Sequence, residues 1–173
     1  TFTKLDFSTI SVKAFRDFAD NRASSLLDGK PIQVGKVENR SIEGRNGAIP
    51  IRIYIPKNAK DAKVITFYHG GGFVIGNLDT HDKACRRLCK MNQAVVVAVD
   101  YRLAPEHKFP AAVEDCYDAT KWVSENIGAY GGSADKIVVC GDSAGGNLAA
   151  VTAIQARDLG TPKIAAQVLV YPT

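Results

Sequence analysis

The spacing of apolar positions changes along the chain, and each spacing predicts a different element. Val12, Phe15, Ala19, Ala23 and Leu26 recur at helical spacing behind Ser11, a good N-cap residue, with Arg16, Asp17 and Asp20 on the opposite side. This predicts an amphipathic helix with its polar side in solvent. Between Gly35 and Pro56 the period drops to two, most clearly where Ile49, Ile51, Ile53 and Ile55 alternate with Pro50, Arg52 and Tyr54. With Arg45-Asn46-Gly47 as the turn signal, this stretch predicts two antiparallel strands. After Lys63 come short continuous apolar runs: Val64 to Tyr68, Ala94 to Val99, Ile137 to Cys140 and Ile164 to Val170. Such runs fit strands buried on both faces of a parallel sheet. Helical segments separate them at Thr80 to Asn92, Pro110 to Ile127 and Ala144 to Leu159. The second opens on proline, and Gly160 with Pro162 stops the third. Alternating strands and helices predict an α/β fold with a mostly parallel central sheet and helices on both faces.

Composition narrows the possible functions. The 173 residues are 46% hydrophobic and 23% charged, an ordinary globular balance that excludes a disordered or fibrous chain. The 22 basic and 18 acidic residues are dispersed, with no basic block longer than a pair such as Arg86-Arg87, so nucleic acid is not an expected partner. The longest apolar run, Ala94 to Val99, is far short of the roughly 20 residues a membrane span requires, and residues 1–30 have no signal-peptide core. Cys85, Cys89, Cys116 and Cys140 fall inside helical or strand patterns, not at disulfide-framework or zinc spacings. They read as free buried thiols of a cytoplasmic protein, and no metal is expected.

Two segments carry the chemistry. Gly141-Asp142-Ser143-Ala144-Gly145 lies where an apolar strand meets a small-residue helix. A serine on such a strand-to-helix turn has its hydroxyl thrust clear of the sheet, and the helix starting at Ala144 aims free N–H groups toward it. The same serine would also serve as a plain helix cap. His69-Gly70-Gly71-Gly72-Phe73 follows directly on the strand Val64 to Tyr68. Consecutive glycines cost conformational entropy, so the run suits a backbone that presents bare N–H groups to a ligand. With the N–H of Ala144, these donors fit the oxyanion of a tetrahedral acyl intermediate. A phosphate-cradling loop is the competing reading, although no Walker lysine follows. His69 is expected to brace this loop by hydrogen bonds.

The strings YHGGGF (Tyr68 to Phe73), DYRLAPE (Asp100 to Glu106), FPAA (Phe109 to Ala112) and GDSAGG (Gly141 to Gly146) occur in that order. Together they resemble the hormone-sensitive-lipase-like carboxylesterases of the α/β-hydrolase fold, a resemblance running from about Gly35 to the last residue. It implies Ser143 as nucleophile and the N–H groups of Gly71, Gly72 and Ala144 as oxyanion hole, with His69 and Gly70 supporting the loop. It also implies a small-molecule ester substrate of short to medium acyl length and no cofactor. Residues 1–34 resemble the start of the family's helical cap, and residues 35–173 the N-terminal part of its catalytic domain.

A serine nucleophile needs a histidine base oriented by an acid, which this fold supplies after the serine. Here His69, His81 and His107 all precede Ser143, and the only acidic residue after it is Asp158. His81 and His107 read as structural or solvent-facing. The expectation is therefore that the triad acid and base come from further sequence, present as a second nicked chain or otherwise outside these residues. Residues 1–173 alone are expected to be inactive, with Ile164 to Val170 as a bare apolar edge strand. A non-hydrolytic, ligand-binding relative is the alternative function, and no oligomeric state is assigned.

Overall fold

The computed structural model describes residues 10–26 and 29–173. Helix α1 (Val12–Leu26) is capped by Ser11, whose Oγ accepts the N–H of Ala14 at 3.2 Å. Val12, Phe15 and Ala19 are half-buried as the spacing predicts, whereas the side chains of Ala23 and Leu26 lie outside the described residues. The polar side differs from expectation. Arg16 and Asp20 turn toward the body of the protein and bond to it, and only Asp17 faces solvent, paired with Lys13 at 2.7 Å. Helical periodicity locates an apolar stripe but carries no information about polar loops that an arginine can reach.

Strands β1 (Lys36–Gly44) and β2 (Gly47–Ile55) form the predicted hairpin, with Gly44 opposite Gly47 across the Arg45-Asn46 loop. Then follow β3 (Ala62–Tyr68), α2 (Asp82–Asn92), β4 (Val95–Val99), α3 (Ala111–Asn126), a 3-10 turn (Ile127–Tyr130), β5 (Gly132–Asp142), α4 (Ala144–Leu159) and β6 (Ala166–Val170). The sheet order is β1-β2-β4-β3-β5-β6. Pairings β4-β3, β3-β5 and β5-β6 are parallel, and the hairpin joins antiparallel through β2-β4. The sheet is thus mixed, its predicted parallel part lying in β3 to β6.

Alternation along each strand divides the core into two layers. Ile49, Ile51, Ile53, Val64, Val95, Val97, Val99, Ile137 and Val139 face one side, where Cys116, Ala119 and Val123 of α3 and Leu148 and Ala149 of α4 cover them. Tyr54, Ile65, Phe67, Val96, Ala98 and Cys140 face the other, under Cys85 and Cys89 of α2. Each fully buried aliphatic side chain here contributes about 1.5–3 kcal/mol. Strand β6 is the bare apolar edge expected of it, not a strand buried on both faces: Val168, Leu169 and Val170 remain 47%, 38% and 37% exposed, and no described strand pairs with its outer edge.

This topology fixes where a site can form. From β3 the chain crosses to β4 on one side, and from β5 it crosses to β6 on the other. Adjacent strands β3 and β5 thus flank a topological switch point, and in open α/β sheets ligands bind at the carboxyl ends of the strands there. The two segments singled out in the sequence are the loops that leave those ends.

Candidate active site

Ser143 sits alone between β5 and α4 with φ 51° and ψ −119°, a backbone region in which a residue bearing Cβ is strained by about 1–3 kcal/mol. Neighbouring structure holds it there. Its N–H donates to the carbonyl of Val170 at 2.9 Å, and its carbonyl accepts the N–H of Asn147 at 3.1 Å. Its side chain makes no capping hydrogen bond to α4, so the plain helix-cap reading does not describe this serine. The turn is tight enough to exclude side chains on both flanks. A Cβ on Gly145 would lie 2.0 Å from the carbonyl oxygen of Tyr68, and one on Gly141 2.3 Å from the backbone of Gly145. Small residues thus let the start of α4 press directly against the end of β3.

In the loop after β3, Gly71 adopts φ +131°, and its carbonyl accepts the N–H groups of Val74 and Ile75, both at 3.0 Å. A Cβ there would lie 2.0 Å from the Ile75 oxygen, so only glycine fits. Gly72, at φ +59°, borders open space, with nothing within 4 Å of where a Cβ would stand. Gly70 ties this loop to the serine turn, its N–H donating to Oδ1 of Asp142 at 3.1 Å. The loop and the start of α4 are therefore held side by side.

His69 is buried and places Nδ1 2.8 Å from the Gly70 carbonyl oxygen. Its ring stacks on Tyr101 with centroids 4.3 Å apart, and the Tyr101 hydroxyl donates to the His69 carbonyl at 2.6 Å. Burial pushes the imidazole down to about 4, the Gly70 contact opposing it only in part, so the ring is neutral at physiological pH. His81 lies beside the same turn, with Nε2 3.6 Å from Oδ1 of Asp142, whereas His107 is exposed.

The segment from Asp100 to Glu106 supplies supports that the sequence reading did not assign. Arg102 binds the buried Asp115 of α3 through its backbone N–H at 2.9 Å and its guanidinium at 2.9–3.1 Å. The N–H of Ala104 donates to the carbonyl of Phe73 at 2.8 Å, steadying the glycine loop from outside. Arg16 of α1 then spans both segments, donating to the carbonyls of Val74 (2.8 Å) and Ala104 (2.9 Å) and to Glu106 (2.7 and 2.9 Å). These partners are 13 to 90 residues apart in sequence, beyond the reach of local patterns.

All four cysteines are free and buried, and burial pushes the Cys89 and Cys140 thiols up to about 11, which disfavours the thiolate form. Among the described residues no group of three or more His, Cys, Asp or Glu side chains is placed to hold a metal ion. Among them also, no helix is long and apolar enough to cross a membrane.

The arrangement matches known proteins in sequence and in shape. Over 141 residues the chain is 50% identical to Esterase LipI and 48% identical to Carboxylesterase NlhH, both of Mycobacterium tuberculosis, with 80% of this chain and 44% of each relative covered. The solved hyperthermophilic esterase of Pyrobaculum calidifontis superposes with a TM-score of 0.92 at 51% identity, covering 95% of this chain and 53% of that one. The chain thus spans about half the length of the relatives it matches. The α/β-hydrolase family model matches residues 65–173, from within β3 through the glycine loop and the serine turn to the last residue. With a strained serine turn at the topological switch point and that match, the chain belongs to the α/β-hydrolase fold family, in its hormone-sensitive-lipase-like branch.

Proposed function

We propose that this chain carries the nucleophile and oxyanion donors of a serine carboxylesterase that hydrolyses short- to medium-chain acyl esters. The observation that carries the reading is Ser143 at φ 51° and ψ −119°, its hydroxyl unused by the helix it precedes and its turn bonded to the glycine loop through Asp142 and Gly70. Evolved side chains are held in such backbone strain chiefly where it serves a site. The esterase names of the relatives support the same reaction class.

In this reading Ser143 Oγ attacks the acyl carbonyl carbon. The N–H groups of Gly71, Gly72 and Ala144 hold the oxygen that becomes negative, each worth about 3–4 kcal/mol in the transition state. Collapse of the tetrahedral intermediate releases the alcohol and leaves the acyl group on Ser143. Water then attacks that ester and frees the acid. No cofactor takes part.

None of the three histidines has the role of base in this reading. His69 is stacked and neutral with Nδ1 on its own loop, His81 faces Asp142, and His107 lies on an exposed loop. On this reading the base and its orienting acid are supplied by residues outside these 173, and residues 1–173 alone are expected not to turn over. Helix α1, fastened by Arg16 over the loops that flank the site, is the start of the cap above the acyl pocket.

The test is hydrolysis of p-nitrophenyl acetate, butyrate and octanoate by the whole protein that carries this chain. Replacing Ser143 by alanine is expected to lower kcat by about 10⁵-fold or more. Undiminished turnover in that variant, or ester binding without turnover in the unmutated protein, would overturn the reading, the latter marking a ligand-binding relative instead.

A further inference from the structure

We propose that Asp142, flanked by His81, is a positioning residue that sets the glycine loop against Ser143. The inference rests on the esterase reading but concerns groups to which the reaction itself assigns no role.

Asp142 ends β5 and is covalently next to Ser143, so its carboxylate has a fixed position relative to the nucleophile. Oδ1 accepts the N–H of Gly70 at 3.1 Å. Gly70 directly precedes Gly71 and Gly72, whose N–H groups are the proposed oxyanion donors, so this bond links nucleophile and donors. The approach is close on all sides: a Cβ on Gly70 would stand 2.3 Å from Asp142 Oδ2 and 2.9 Å from its carbonyl oxygen. The carboxylate and the loop are thus in contact over more than a single hydrogen bond.

His81 flanks the same carboxylate. It immediately precedes α2 and places Nε2 3.6 Å from Oδ1, longer than a hydrogen bond and an ion pair when the ring is protonated. Its Nδ1 lies 2.9 Å from Thr80 Oγ1, and the Thr80 hydroxyl is itself bonded to the backbone of Asn77. The imidazole is thereby anchored from behind and presents its other edge to Asp142. Three segments, residues 69–76, 77–81 and 141–143, converge on one carboxylate. Burial pushes that carboxyl group up, but His81 and the Gly70 N–H outweigh it and leave it below the usual aspartate value, so it stays an ionised acceptor.

Displacing an oxyanion donor by about 1 Å costs on the order of 10²-fold in rate, so a residue that fixes donor position acts on kcat and leaves ground-state binding alone. The experiment uses the whole protein and three variants, Asp142→Ala, Asp142→Asn and His81→Ala. With a p-nitrophenyl ester, Asp142→Ala is expected to lose about 10²-fold in kcat with KM within about threefold. Asp142→Asn keeps an oxygen that accepts the Gly70 N–H and is expected to recover at least about tenfold of that loss, with His81→Ala falling between the two. A merely structural role would lower the fraction folded without separating alanine from asparagine, which circular dichroism at the assay temperature checks. Hydrogen exchange of the peptide covering His69 to Gly76 supplies a readout independent of turnover, expected to quicken in Asp142→Ala and to return toward the unmutated rate in Asp142→Asn. Unchanged kcat and unchanged exchange in Asp142→Ala, or an asparagine variant as impaired as the alanine, overturns the proposal. An unmutated protein that does not react at Ser143 overturns the esterase reading, and the exchange data then decide the loop tie by themselves.

Discussion

Tyr101 holds His69 twice, by a hydrogen bond from its hydroxyl to the His69 carbonyl at 2.6 Å and by stacking its ring on the imidazole at 4.3 Å. Both residues are buried, and His69 is where β3 gives way to the glycine loop. Tyr101→Phe keeps the stack and removes the donor, leaving a buried carbonyl unpaired. Urea unfolding is expected to show a loss of about 1–3 kcal/mol. A midpoint identical to that of the unmutated protein would mean that the stack alone fixes the loop.

Gly145 and Gly128 give opposite expectations for the same substitution. A Cβ on Gly145 meets the Tyr68 carbonyl at 2.0 Å, whereas one on Gly128 meets nothing within 4 Å. Gly145→Ala is expected to destabilise by about 1–3 kcal/mol and to suppress ester turnover, because relief requires α4 to move away from β3 and carry Ser143 with it. Gly128→Ala should leave both activity and thermal unfolding close to those of the unmutated protein. Similar behaviour of the two variants would show that the turn is not sterically set.

The sequence announced the framework well because the signals for it are local. Runs of apolar residues marked β3 and β4, alternating isoleucines marked β2, and the Gly-x-Ser-x-Gly string at a strand end marked the turn that carries Ser143. The fastenings of the site were not legible. Asp142 to Gly70, Tyr101 to His69 and Arg16 to Val74 join residues 72, 32 and 58 positions apart, and such pairs arise only once the sheet brings its loop ends together. Asp20 was misplaced for the same reason, since its partner is Asn77 on a loop that helical periodicity cannot foresee. Strand β5 begins at Gly132, five residues ahead of the predicted Ile137, because only Gly132 pairs with Ala62 before a register shift, and Ser133, Ala134, Asp135 and Lys136 between it and Ile137 leave no apolar run.

Docking of α1 should depend on acid. The hydrogen bonds from Arg16 hold the Glu106 carboxyl down at about 2, below its ordinary 4.5. A depressed carboxylate contributes stability above its unfolded value and loses it as pH falls through the folded one, so the contact weakens between about pH 4.5 and 2. Hydrogen exchange across Val12 to Asp20 is expected to accelerate over that window, while in Arg16→Ala it should be fast at every pH. A protected helix in Arg16→Ala at neutral pH would show that the apolar face alone fastens α1.

His69 gives a second pH dependence at higher pH. Burial lowers its folded pKa from 6.5 to about 4, so the unfolded chain takes up a proton first and stability falls as pH drops from about 6.5 to 4. Thermal unfolding in that interval is expected to shift less in His69→Asn than in the unmutated protein, at the cost of a lower starting point. An imidazole proton resonance of His69 that titrates near 6.5 would contradict the burial argument.

The central claim is that Ser143 is an activated nucleophile, and the most direct measurement is the mass of the whole protein before and after treatment with a fluorophosphonate, with the modified residue located by peptide mapping. The account predicts one adduct per chain, on Ser143, and none on the separately produced segment 1–173. An adduct on another serine, or none on protein that is folded and intact, would contradict it.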